Sequence, residues 1–279
     1  MSDFPRTEIG GVSVSRMVAG SNWFLGFSHQ SAAKSNWIQQ YQTAEHMGDV
    51  LEVFLQAGVD VAMSPPSPPM TQAIDQAQQR VGRKMVHIVT PNFDLTPEGP
   101  DFDDAARDFD AAAESGATFC WPHQCVTDRL YDGLTGTIRH MDRLCEMIRQ
   151  RGMIPGLSSH APQTIQAADR TGLDVASYIA IYNAGGFLMQ VEIDWVLNVI
   201  RKAAKPVTTI KPMAAGRLMP HVGLPFVWST LRDCDLVTVG TVTPDEAREV
   251  IEISLATLQR RPADVELQMT RSKQTLITE

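Results

Sequence analysis

The chain has 279 residues, of which 43% are hydrophobic and 20% charged, enough for one large α/β domain with a sizeable core. Its net charge of −8, with no cluster of Lys and Arg, excludes a nucleic-acid partner, which needs a basic face, and leaves small molecules as the expected substrates. Four cysteines are too few for a disulfide framework, the start MSDFPRTEIGG is not a secretory signal, and no stretch approaches the roughly 20 apolar residues of a membrane span, so a cytoplasmic protein with reduced thiols is expected.

Eight short β-rich runs follow in chain order, at 16–21, 59–63, 85–90, 118–121, 154–158, 178–182, 207–211 and 236–239, each with a helix-like segment behind it. Met47, Val50, Leu51 and Phe54 repeat at helical spacing, as do Ile138, Met141, Cys145 and Ile148, and Ala247, Val250, Ile251, Ser254 and Leu258. Thr43 before AEHM and Thr243 before Pro244-Asp245-Glu246 supply helix starts. Strands alternating with helices require a parallel sheet, and eight such units predict a closed (β/α)8 TIM barrel spanning residues 1–279 as one domain. Two segments depart from the plain pattern. The connection 22–42 after the first strand is long and aromatic, and is expected to lie over the barrel mouth with Trp23, Phe24, Phe27 and Trp37; the tail 263–279 is polar and uncapped.

Barrels of this kind place chemistry at the C-terminal ends of their strands, here Asn22, Ser64, Asn92, His123, His160, Asn183, Lys211 and Thr241. His123 in CWPHQC and His160 in LSSHAP close the fourth and fifth runs, which are neighbours in a barrel, so two imidazoles would share one substrate, one proton relay or one metal. The plainer readings are a strand-end histidine bonded to backbone and a helix cap. His29 lies in the long loop, and loops carry function. Lys211 ends the seventh run, where burial would lower its pKa and let it form a Schiff base with a carbonyl substrate; the plainer reading is a structural ion pair. Lys34 reads as a solvated cation and His87 as a packed core residue. Cys120, His123, Cys125 and His160 hold zinc-ligand chemistry, but strand alternation points Cys120 and His123 to opposite faces, and no tight ligand motif is present; a divalent metal on His123 and His160 with a carboxylate stays open.

The segment VTTIKPMAAGRL with LVTVGTVTPDEAREVIE resembles the last two strand–helix units of the aldo/keto reductases. At low stringency the likeness extends over nearly the whole chain: VSVSRMVAGSN resembles the first strand of that family, GLSSHAPQTIQAA its fifth, and YIAIYNA, with Tyr182 and Asn183, the strand carrying its Tyr-Asn pair. The resemblance implies a barrel in which aspartate, tyrosine, lysine and histidine reduce a carbonyl with hydride from NADPH. Carried over by position, the aspartate falls at about Met63, the tyrosine at about Pro68 and the lysine near Thr90, Pro91 or Asn92; only the histidine has a counterpart, His123. A positioned general acid contributes about 10²- to 10⁴-fold, and neither Met63 nor Pro68 can replace it. The helix after Gly240 has Asp245 and Glu246 in the turn where a phosphate would sit, with Arg248 the nearby cation, which counts against NADPH.

The sequence therefore leads to the expectation of a non-redox enzyme, an isomerase, epimerase or lyase, moving protons through His123, His160, His29 and Lys211 on a sugar-like or other small carbonyl compound held by Asn22, Trp23, Asn92, Tyr182, Asn183 and Arg217. A nicotinamide-dependent reductase with a displaced acid and a barrel that only binds its ligand are the alternatives.

Overall fold

In the computed structural model, which describes residues 3–265, all eight expected runs are parallel barrel strands. They are β1 (Met17–Gly20), β2 (Val61–Ser64), β3 (Val86–Val89), β4 (Phe119–Cys120), β5 (Ile154–Pro155, resumed as Leu157–Ser158), β6 (Tyr178–Ile181), β7 (Val207–Ile210) and β8 (Leu236–Gly240). β8 returns to β1, with Val237 opposite Met17 and Gly240 opposite Gly20. The other closure is split: Ile154–Pro155 pairs with β4 and Leu157–Ser158 with β6. Gly156 makes the switch, and only glycine fits there, because a Cβ would run into the indole of the fully buried Trp121.

The barrel interior is filled by inward-facing residues of the strands, among them Val18, Val61, Ile88, Phe119, Trp121, Ile179 and Leu236. Ile9 and Val14 join this cluster from a hairpin, Arg6–Ile9 against Val12–Ser15, that the sequence reading missed. Its turn is Gly10-Gly11, at φ +55° and +83°, a left-handed pair that glycine adopts without a Cβ penalty. The hairpin covers the N-terminal end of the barrel, beside Ile154 and Ala176.

The outer layer follows the helical spacing. Helix α1 (Ala32–Tyr41) lies in the long connection, and α2 (Ala44–Gln56) buries Met47, Val50, Leu51 and Phe54; each such side chain taken fully out of water contributes about 1.5–3 kcal/mol. The oxygen of Thr43 accepts from the His46 amide and starts α2. Helices α3 (Pro68–Val81), α4 (Phe102–Glu114), α5 (Gln124–Leu130), α6 (Met141–Gln150), α7 (Gln163–Thr171), α8 (Ile193–Lys202), α9 (Pro220–Thr230) and α10 (Pro244–Gln259) complete the ring. The helix expected from Ile138 begins at Met141 instead, because Ile138 pairs with Tyr131 in a short antiparallel ladder.

The connection 22–42 is not a simple loop. Ser31 caps α1, whose one buried residue is Ile38. Trp37 stacks on Tyr41 at 5.1 Å and is 44% exposed, so it faces away from the mouth, and Phe24 is buried in the outer core; Trp23 and Phe27 alone of the four aromatics reach the cavity. Lys34, expected as a solvated cation, sits 4.2 Å from the Trp37 ring centroid. The tail expected from residue 263 lies, from 266 onward, outside the described residues. No helix among the described residues is long and apolar enough to cross a membrane.

Candidate active site

A cavity of about 670 Å³ opens at the C-terminal ends of the strands. Asn22, Trp23, His29, Asn92, His123, His160, Lys211 and Arg217 all line it, so strand ends far apart in sequence converge there, together with the long connection and the segment after β7. Two residues expected to bind substrate do not line it. Tyr182 is fully buried and donates its hydroxyl to Thr230 Oγ1 at 3.1 Å, packed on Phe226. Asn183, also fully buried, accepts the amides of Gly185 and Phe187 and donates to the Phe187 carbonyl, so its side chain holds the loop after β6. Both are spent on structure, because buried polar groups must be paired.

His123 caps α5: its Nδ1 accepts from the Cys125 amide at 3.3 Å. The cap reading and the site reading hold together, since an Nδ1 acceptor leaves the neutral ring with its proton on Nε2. Burial first and Lys211 second depress its pKa, so it is neutral at pH 7. His160 is brought alongside by Asp128 of α5, which accepts from the His160 amide at 3.0 Å and from Ser159 Oγ. Burial, Lys211, His123 and His29 push His160 down to about 4.

Lys211 is the charged centre of the cluster. Burial alone pushes its pKa down to about 8, and among the described residues no carboxylate pairs with it. Its Nζ lies 3.4 Å from His29 Nε2, which also faces the Asn22 amide nitrogen at 3.4 Å. With two donors aimed at Nε2, the neutral His29 ring carries its proton on Nδ1. Burial, Lys211 and Arg217 depress His29. Arg217 donates to the His29 carbonyl at 2.9 Å and stacks on Phe187, and Gln30 donates to the Ala215 carbonyl at 2.9 Å, so the long connection is tied to the segment after β7. His87, inside β3, bonds Ser64 Oγ at 2.9 Å as a core residue would.

No group of three or more His, Cys, Asp or Glu among the described residues is placed to hold a metal, so an ion on His123 and His160 lacks the carboxylate it would need. The cavity spans the barrel mouth. It runs from His123, after β4, to Glu246, Glu249 and Val250 of α10, after β8, and β4 and β8 stand on opposite sides of the barrel. Its floor near Trp23 is Gly20 and Gly240, where a Cβ on Gly240 would meet Trp23 Cδ1 at 2.9 Å. Thr238, 7% exposed, lines this part with an Oγ1 that has no hydrogen-bond partner among the described residues. Thr238, Glu249 and the exposed Met219 escaped the sequence reading, because one side chain of a buried strand, one helix carboxylate and one loop methionine carry no pattern.

No family model matches the chain, and no curated protein matches its sequence. The likeness is structural. An aldo-keto reductase from Klebsiella pneumoniae, solved in complex with NADPH, is 16% identical with a TM-score of 0.61 over 96% of this chain and 99% of that one. An aldo/keto reductase from Brucella melitensis is 11% identical with a TM-score of 0.58 over 92% and 99%. The fold is that of the aldo/keto reductases. This overturns the expected isomerase, epimerase or lyase: the structures that share the barrel from end to end are aldo-keto reductases, which favours the reductase alternative. Met63 and Asn92, at two of the positions where the reductase residues would fall, do line the cavity, whereas Pro68 opens α3 outside it.

Proposed function

We propose that the protein is a cytoplasmic oxidoreductase of aldo/keto reductase type that reduces a small carbonyl compound with a nicotinamide cofactor, its proton donor moved from tyrosine to Lys211. The observation that carries this reading is the convergence of Lys211 and three depressed histidines on one cavity at the strand ends of a reductase fold.

Gly20, Trp23, Thr238 and Gly240 are the residues that would hold the cofactor along the cavity. When bound, it supplies the hydride. The protein supplies the proton and the polarisation. At neutral pH Lys211 is largely protonated, yet with its pKa near 8 it gives up a proton far more readily than an ordinary lysine, which suits a general acid working near pH 7. His123, neutral and protonated on Nε2, donates a hydrogen bond to the carbonyl oxygen and draws electron density toward it. Lys211 would give its proton to the carbonyl oxygen as that oxygen gains charge, leaving an alcohol and a neutral amine. The amine regains its proton from solvent, which reaches the exposed His29 beside it. His160 stays neutral and polar beside them. Asn22, Asn92 and Arg217 border the space left for the substrate, and Trp23 and Phe27 limit water there.

The test is oxidation of NADH and NADPH, followed by absorbance, with a panel of aldehydes, ketones and oxo acids, in wild type and in Lys211→Met. Turnover of at least one carbonyl that is lost in Lys211→Met supports the reading; no cofactor oxidation with any member, and no binding of either dinucleotide, sinks it.

A further inference from the structure

We propose that the carbonyl compound is an oxo acid whose carboxylate is held by Arg217 and Lys211 on the His29 side of the cavity. The inference rests on the reductase reading above and adds the charge of its substrate.

Two basic side chains meet at one residue. Lys211 Nζ lies 3.4 Å from His29 Nε2, Arg217 Nη2 donates to the His29 carbonyl at 2.9 Å, and all three residues line the cavity. The chain as a whole carries a charge of −8, yet neither Lys211 nor Arg217 takes part in any ion pair among the described residues. The charges acting on His29 are those of Lys211 and Arg217, on His123 that of Lys211, and on His160 those of Lys211, His123 and His29. No carboxylate offsets them. Asp128 is spent on the His160 amide and Ser159 Oγ, and Glu246 on the Val242 amide; Glu249 lines the cavity but acts on none of these groups. Cys125 is the remaining titratable side chain of the lining.

A half-buried ammonium without a counter-charge is an incomplete pair. Burial with no partner is what brings Lys211 down to about 8, and an anion beside it would reverse that shift. Arg217 has capacity left as well. Its terminal nitrogens each give one N–H to a carbonyl, that of Ala214 at 3.2 Å and that of His29 at 2.9 Å, and each keeps a second. The guanidinium, seated 4.0 Å from the Phe187 ring centroid, can therefore take a carboxylate without releasing the loop. The anion belongs to the substrate because Lys211 is also the group that gives the proton, so what pairs with it lies at the reacting end. A carboxylate there keeps Lys211 protonated to higher pH, whereas a neutral aldehyde or ketone leaves both basic groups unpaired. Charge-assisted hydrogen bonds are about twice as strong as neutral ones, and Arg217 is exposed to screening, which sets the preference at about ten- to hundredfold.

The experiment compares oxo acids with their primary amides, pyruvate against pyruvamide and 4-oxopentanoate against its amide, which match in size and differ in charge. Binding to the full chain is read by tryptophan fluorescence and by calorimetry at pH 8 in two buffers of different ionisation enthalpy, with and without dinucleotide; turnover is read by cofactor oxidation. The acids should bind about ten- to hundredfold tighter than the amides, lead in kcat/KM by a similar factor, and take up to about half a proton at pH 8 as Lys211 becomes fully charged. Arg217→Met should erase the lead and Arg217→Lys restore part of it. Equal binding of acids and amides by wild type, or binding of the acids without proton uptake, overturns the inference. So does a loss in Arg217→Met that is the same for acids and amides, since holding the loop would explain it. A dinucleotide that expels the oxo acid, with dinucleotide affinity lost in Arg217→Met, assigns the pair to a cofactor phosphate and overturns it too. Oxo acids that bind with proton uptake while no carbonyl is reduced support the carboxylate site and bring down the reductase reading alone.

Discussion

Lys211 Nζ lies 3.4 Å from His29 Nε2, and both residues hold left-handed backbone, at φ +61° and +53°. Ala214 and Ala215 do the same, at +50° and +55°. A non-glycine residue held there costs of the order of 1–3 kcal/mol, and such residues persist where surrounding contacts fix them, commonly at functional sites. The contacts are present: Arg217 on the His29 carbonyl and Gln30 on the Ala215 carbonyl hold the two segments against each other. The lysine and His29 are thus positioned by the backbone of two loops, 182 residues apart in the chain.

Lys211→Met should lower turnover by about 10²- to 10⁴-fold while leaving dinucleotide affinity nearly unchanged. It should also raise the pKa values of His29, His123 and His160, since the Lys211 charge depresses all three. Titration of the histidine ring signals by NMR checks this. Lys211→Arg keeps the charge, so the histidines should stay depressed, yet activity should not return, because a guanidinium with a pKa above about 12 does not release its proton. In wild type the protonated lysine is the acid, so turnover should fall as pH rises through about 8. A profile flat through that range would remove Lys211 as donor.

Stability should decline on acidification. His160 and His87 each titrate at about 4 in the folded chain against 6.5 ordinarily, so between these values the unfolded chain binds more protons. The stability is complete above pH 6.5 and is lost as pH falls to about 4, by at most about 3 kcal/mol for each group. Urea midpoints across this range measure it. His160→Ala should flatten part of the slope, with His87 and the depressed His29 and His123 supplying the remainder; an unchanged slope would mean that His160 is not held neutral by the fold.

Asn183→Ala should be a stability variant, not a binding one. Removing a side chain that satisfies two amides and a carbonyl in a fully buried loop should cost about 1–3 kcal/mol, seen as a lower melting temperature, with KM for the carbonyl little altered. A large rise in KM with stability intact would return Asn183 to the substrate.

Gly156→Ala should destabilise by about 1–3 kcal/mol, because the new methyl meets the Trp121 indole inside a packed barrel. Tryptophan emission reports whether Trp121 moves. Unchanged stability and emission would show that the split strand tolerates a side chain.

Much of the fold was legible in the sequence. Short β-rich runs such as VTTI and LVTVG and helical repeats such as Met47, Val50, Leu51 and Phe54 depend on local geometry, which tertiary packing left in place. His123 and His160 were also legible as site candidates, since the end of a strand can be read from the strand. The hairpin at Arg6–Ile9 was not, its polar and apolar residues being too few to set a period. What tertiary structure alone decided was which strand-end side chains share a space: Tyr182 and Asn183 turned to structural bonds, while Lys211, His29 and Thr238 came to one cavity. Strand pattern fixes which face a residue takes, but contacts between segments far apart in the chain decide whether a polar group there is already satisfied or left for a ligand.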